Sequence, residues 1–306
     1  MEAMCSTATA AKFKKKTNLI PMCIIGALFF IFGFVTWQNG ALIPYLQMVC
    51  QLSETEALLV ASAFYFAFTV MALPSANILE RIGYKNGMSI GLLCLVAGFL
   101  FYIPAANTQH FGVFLFAQFI IGSGLTLLQT AANPYVVKIG PIESAAVRIM
   151  FMGLLNKGAG VLAPMVFTAI VLGDFAGITV VSLDAMVEPE KLKTIEALSD
   201  GLVYPYFGMA IIFTLLAALL KMSPLPELAL EDNNTDSCSN DKTKTSILQF
   251  PSIVLGAITL FFYVGAEVIA GDVFIGESVE GHRARGQPVY VGLRGQRTAQ
   301  VEGQAA

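Results

Sequence analysis

Charged residues are scarce in this sequence, making up 13% of its 306 residues. Soluble globular domains carry about 25%, so this chain cannot cover a water-facing surface of ordinary composition. Net charge is −3 and the pI about 5.5, without the basic excess that marks a nucleic-acid binder. Histidine is nearly absent: the two are His110 and His282, and no Ser/His or HExxH pattern accompanies them. Hydrolytic and metal-dependent enzymes therefore lack their usual residues, and no enzymatic activity, cofactor or metal site is expected. The five cysteines (Cys5, Cys23, Cys50, Cys94, Cys238) lie at least 18 residues apart, which excludes a local zinc cluster or a C-x-x-C redox pair.

Apolar length is abundant. Hydrophobic residues are 56% of the chain, with 23 Phe and a mean hydropathy of +0.71. This excludes disorder for most of the chain. A hydrocarbon core about 30 Å thick needs roughly 20 residues of apolar helix. Seven runs meet that length, at about 19–45, 56–79, 87–105, 111–137, 149–172, 201–220 and 247–271. They are continuous, whereas spanning β-strands alternate over about ten residues. The expected class is an all-α polytopic membrane protein embedded in a lipid bilayer. The lysines at 12, 14, 15 and 16 precede an apolar run too long for a cleaved signal and without a small-residue cleavage site before Trp37, so the first helix is read as retained.

Positive charge sets orientation. With the N-terminus inside, the cytoplasmic side collects eleven cations: Lys12, Lys14, Lys15, Lys16, Arg81, Lys85, Lys138, Arg148, Lys221, Lys242 and Lys244. Up to the seventh helix the outer side collects two, Lys191 and Lys193. The N-terminus is therefore expected in the cytoplasm. The acidic stretch 184–200 reads as a solvated outer loop. Expected divisions are a cytoplasmic segment 1–18, a six-helix unit 19–222, a polar cytoplasmic linker 223–246, a seventh helix within 247–276 and a polar tail 277–306. That tail holds four of the six arginines and no Lys, Phe, Ile or Met. A change of reading frame near residue 276 is the simpler expectation for it than an extracellular tail.

An internal repeat is visible. Gln38-Asn39 precede Pro44-Tyr45 in helix 1, and Gln129 with Asn133 precede Pro134-Tyr135 in helix 4. Pro44 and Pro134 are 90 residues apart, as are Pro74 in helix 2 and Pro164 in helix 5. Units offset by three spans have opposite orientation, the inverted build of many secondary transporters, which hold substrate at the repeat interface.

Polar groups inside apolar helices are costly unless partnered. Helix 1 carries Gln38 and Asn39 beside Trp37, helix 4 carries Gln129 and Asn133, and helix 5 carries Asn156 and Lys157. Each amide reads equally as interhelical glue or as a hydrogen-bonding contact for a polyhydroxylated sugar, with Trp37 placed to cover an apolar sugar face. Lys157 reads equally as a residue snorkelling to the surface. Helix 7 brings Glu267 and Asp272, candidates for coupling to an ion, with interfacial solvation the stronger reading for Asp272. Between helices 2 and 3, Glu80-Arg81-Ile82-Gly83-Tyr84-Lys85 forms a tight turn in which Gly83 supplies flexibility.

The turn Ala76–Lys85 resembles the loop 2–3 signature of the Major Facilitator superfamily, with Ala76, Glu80 and Tyr84 replacing its Gly, Asp and Arg. Phe29–Trp37, Gln129–Tyr135, Gly140–Ala146 and Tyr263–Asp272 resemble the fucose:proton symporter family, in particular its glucose/galactose branch. The resemblance runs from about residue 19 to 275. It implies a 3+3 inverted-repeat half, here followed by a seventh helix, from a twelve-helix alternating-access carrier. It further implies coupled hexose uptake (glucose or galactose, with H⁺ or Na⁺) across the inner membrane of a Gram-negative bacterium. The fucose branch carries an Asp in helix 1 and a Glu in helix 4 where this chain has Gly40 and Gln129, which favours the glucose/galactose branch and leaves the ion open. Sugar in this fold lies between two halves, so a chain of 306 residues is expected to be a truncated form that does not transport alone. A half-size carrier acting as a dimer is the alternative. A seven-helix receptor is the weaker one, opposed by the charge asymmetry and, for a retinal sensor, by the absence of lysine from Ser246 to Gly276.

Overall fold

The computed structural model describes residues 19–171, 183, 186–223, 225 and 251–268. The segment 1–18, most of the linker, Asp272 and the tail 277–306 lie outside them. Among the described residues, seven α-helices are long and apolar enough to cross a membrane. They are α1 (Leu19–Cys50), α2 (Glu54–Ile82), α3 (Tyr84–Thr108), α4 (Phe111–Lys138), α5 (Ala145–Val171), α6 (Glu188–Met222) and α7 (Pro251–Val268). The protein is an all-α multi-pass membrane protein.

Helix α1 runs five residues past the sequence estimate, because Leu46, Met48 and Val49 are buried and continue its packed face. Helix α2 starts at a capping box: the Ser53 N–H donates to Glu56 Oε2 at 3.0 Å, and the Glu56 N–H donates to Ser53 Oγ at 3.4 Å. These reciprocal bonds satisfy N–H groups that have no partner inside the helix. The largest correction concerns 184–200. From Glu188 onward this stretch is helix, the start of the 35-residue α6. At 1.5 Å per residue α6 is about 52 Å long, so its first turns stand beyond the hydrocarbon. Acidic residues occupy its outer face, while Ile195, Leu198 and Leu202 are buried. The Tyr45 hydroxyl donates to the Leu198 carbonyl, and Gln109 Nε2 donates to Ser199 Oγ at 3.3 Å. Tertiary packing therefore carries the helix where charge alone suggests a loop.

Helix α1 packs along α5, α2 along α4, and α3 lies against both α4 and α6. Exchanging α1 with α4 and α2 with α5 turns the first pairing into the second, as a three-plus-three repeat requires. The approach is close where glycine removes the side chain. A Cβ on Gly33 would lie 1.9 Å from the Asn156 carbonyl oxygen, and one on Gly122 2.5 Å from that of Phe64. The outer faces carry exposed Leu73, Leu154, Val161, Phe261 and Phe262, the surface expected of helices solvated by lipid.

Arg148, counted from sequence as a loop cation, is buried on α5. Its guanidinium donates to the carbonyls of Val136, Val137 and Pro141 at 3.0, 2.9 and 2.9 Å and to Ser144 Oγ at 2.6 Å. The last carbonyls of α4 have no helical partner, and a fork of five donors satisfies several at once. Replacing Arg148 with alanine is expected to destabilise the protein by about 3 kcal/mol. Arg148→Lys should recover less than half of this, since one ammonium cannot reach all four acceptors. Thermal unfolding in detergent reads both.

Candidate functional site

The polar residues of α1 fall at successive positions, and 100° per residue sends each towards a different helix. Trp37 faces α5. Its ring lies over the Lys157 ammonium, 5.2 Å from centroid to Nζ, within cation–π range. The indole can sit there because residue 160 is glycine: a Cβ at Gly160 would come 2.5 Å from Trp37 Cδ1. Lys157 also forms an ion pair with Glu267 of α7. Trp37, Lys157 and Glu267 thus bring α1, α5 and α7 to one point. The side chains of Lys157 and Glu267 remain 46% and 25% exposed, so a ligand or ion could reach the pair.

Gln38 faces α6. It is buried, and its Nε2 donates to the Tyr206 hydroxyl at 2.9 Å. The Tyr206 ring stacks on Tyr102 of α3 with centroids 4.2 Å apart and planes 8° from parallel. Asn39 faces α4 and accepts from Gln118 Nε2 at 2.6 Å. Asn156 Nδ2 donates across to the Phe29 carbonyl at 3.3 Å. Three of the amides singled out in the sequence are therefore bonded to other helices. On α4, Gln129 is half-buried and Asn133, one turn on, is exposed. They form a polar stripe on a helix whose intervening Ala131 and Ala132 are fully buried.

A cavity of about 440 Å³ lies between α1, α5 and α6, bordered by Phe34, Gln38, Phe167, Met209 and Phe213. Among the described residues its walls are apolar apart from Gln38, whose Oε1 has no hydrogen-bond partner there. One amide oxygen cannot replace water around a polyhydroxylated ligand. The polar cluster at Trp37, Lys157 and Glu267 suits such a ligand better.

In the α2–α3 turn, Gly83 stands alone between the helices with φ 80°, a region that disfavours side chains. Lys85 Nζ donates to the Ser223 carbonyl at 2.8 Å, tying α3 to the end of α6. Glu80 and Arg81 are exposed. Sequence reasoning missed Gln118 and Tyr206. Gln118 carried a signal, an amide within an apolar span; Tyr206 carried none, being one of nine tyrosines.

These features define a helical membrane protein built as an inverted pair of three-helix units followed by a seventh helix, with Trp37, Lys157 and Glu267 meeting at one point. Residues 22–276 match the Major Facilitator Superfamily, and the chain belongs to that family, one of transporters and not of enzymes. It is 36% identical over 248 residues to a glucose/galactose transporter of Brucella abortus biovar 1 (strain 9-941), covering 81% of this chain and 56% of the relative. It is 28% identical over 271 residues to the L-fucose-proton symporter of Escherichia coli (strain K12), covering 87% and 61%. The solved structure of a Major Facilitator Superfamily transporter, FucP, in the outward conformation is similar with a TM-score of 0.62 and 28% identity, covering 71% of this chain and 53% of that one. The chain thus spans little more than half the length of these relatives.

Proposed function

We propose that this chain contributes the N-terminal half and first following helix of an ion-coupled hexose carrier working by alternating access. The meeting of Trp37, Lys157 and Glu267 carries this reading. An aromatic face, a cation and a carboxylate offer stacking and charge-assisted hydrogen bonds to sugar hydroxyls, and the carboxylate can also take a proton or Na⁺. The stripe of Gln129 and Asn133 adds amides that both donate and accept. Gln38, Asn39 and Asn156 would act from behind, holding α1 against α6, α4 and α5 so that Trp37 keeps its place. The names of the relatives support a sugar as substrate, and the glucose/galactose type is the one we favour. We place the carrier in the bacterial inner membrane with its N-terminus in the cytoplasm, on the distribution of lysine and arginine.

The test is uptake of labelled glucose, galactose and fucose into vesicles holding a chain of the relatives' full length, under imposed H⁺ or Na⁺ gradients. Accumulation of a hexose driven by one of these gradients is expected, with the 306 residues alone inactive. Absence of hexose uptake under both gradients in the full-length protein would overturn the reading.

A further inference from the structure

A second cavity, of about 630 Å³, lies at the end of the bundle where α2 and α6 finish and α3 begins. Its α3 wall is built from Asn86, Ser89, Ile90 and Leu93 and its α6 wall from Thr214, Ala217, Ala218 and Lys221, with Arg81 at the end of α2 closing the rim. On α3 these positions follow the i, i+3, i+4, i+7 spacing of one helical face. From Asn86 to Leu93 they cover about 10 Å along the helix towards the hydrocarbon. The α6 positions descend in parallel. Charge is confined to the rim, where Arg81 and Lys221 are exposed, and the inner walls are largely apolar, with Ile90 and Leu93 exposed.

The neighbouring polar groups are engaged elsewhere. Ser89 Oγ donates to the Ala217 carbonyl, Asn86 Nδ2 to Ile82 and Thr214 Oγ1 to Ala210. Lys85 is bound to the Ser223 carbonyl, and Lys138 lies over the Tyr84 ring. Arg81 and Lys221 have no hydrogen-bond or ion-pair partner among the described residues. Two unpaired cations above an apolar trough, in the last turns of membrane-spanning helices, match an anion carrying an acyl chain.

We propose that the groove between α3 and α6 binds an anionic phospholipid, with Arg81 and Lys221 on its phosphate and an acyl chain along Ile90, Leu93 and Ala218. Basic pockets between membrane helices recognise acidic headgroups in this way. A zwitterionic lipid brings its own cation to the same rim and gains less, and free phosphate has nothing to place in the trough. The site lies on a different face from Trp37, Lys157 and Glu267 and does not depend on the transport reading.

The experiment is native mass spectrometry of the purified 306-residue chain in detergent, with phosphatidylglycerol and phosphatidylcholine of identical acyl chains in competition. Each cation contributes about fivefold, so a preference of about thirtyfold for phosphatidylglycerol is expected. Arg81→Gln and Lys221→Gln should each lower it about fivefold and the double variant should abolish it, while Lys193→Gln at the opposite end leaves it unchanged. Circular dichroism establishes that the variants keep their helices. Equal binding of the two lipids by the unaltered chain would overturn the proposal, with no variant needed. So would a preference that survives the double substitution, or competition by inorganic phosphate at the same concentration as the lipid.

Discussion

Alanine at position 33 is expected to separate α1 from α5 and to destabilise the protein by about 3 kcal/mol or more. A Cβ there would lie 1.9 Å from the Asn156 carbonyl oxygen, 2.7 Å from its carbon and 3.0 Å from its Cα. All three atoms are backbone, so no rotamer change relieves the overlap. The helices must part by more than about 1 Å to restore an ordinary contact. That movement also weakens the Asn156–Phe29 hydrogen bond and lifts Trp37 away from Gly160. Gly153→Ala and Gly158→Ala on α5 are the controls, because a Cβ at either meets nothing within 4 Å. Alanine favours helix over glycine, so both should be neutral or slightly stabilising. Thermal unfolding of the three variants in one detergent makes the comparison, and a Gly33→Ala protein as stable as its controls would refute the packing described.

The second large effect concerns Glu267. A single charge moved across the membrane potential gains about 2.3 kcal/mol per 100 mV, which supports roughly fiftyfold sugar accumulation for each 100 mV. In a chain of the relatives' full length, Glu267→Gln is expected to bring that accumulation down to the equilibrium level while exchange of sugar across the membrane continues. Loss of exchange together with accumulation would instead assign Glu267 to binding or folding. Exchanging the partners, with Lys157→Glu and Glu267→Lys together, should restore protein stability lost in either single reversal, since the pair is retained. It should not restore accumulation, because the carboxylate has then moved to α5, beside Trp37. Helix α7 has no buried residue in the described structure, so its Lys157 contact weighs heavily in holding it to the bundle.

Composition and run length were enough to place this chain in the membrane and to give six of its seven described helices to within about five residues, because each span must supply its own backbone hydrogen bonds and an apolar surface over a fixed thickness. The proline offsets between helices 1 and 4 and between 2 and 5 made the repeat legible, and the paired packing of α1 with α5 and α4 with α2 agrees with it. The reading of 184–200 as a loop failed because charge density there reports only the outward face of α6, while Ile195, Leu198 and Leu202 bury the inward one. Sequence reasoning did not pick out the Ser53–Glu56 capping box, which starts α2 two residues before the span estimated from hydropathy.

For the polar residues the sequence marked positions and left partners undecided. Trp37, Gln38 and Asn39 are neighbours in the chain, yet they meet Lys157, Tyr206 and Gln118 on three different helices. Arg148 carries the same formal charge in a loop as at the buried end of α4, and only the carbonyls around it make it a cap. By itself the sequence determined that the chain is a bundle of membrane helices with an inverted repeat, since hydrophobic length and spacing act locally along the chain. The tertiary structure alone decided which amides join helices and which polar groups gather at one point. Helical rotation and glycine contacts set those directions, and they take effect only once neighbouring helices are in place.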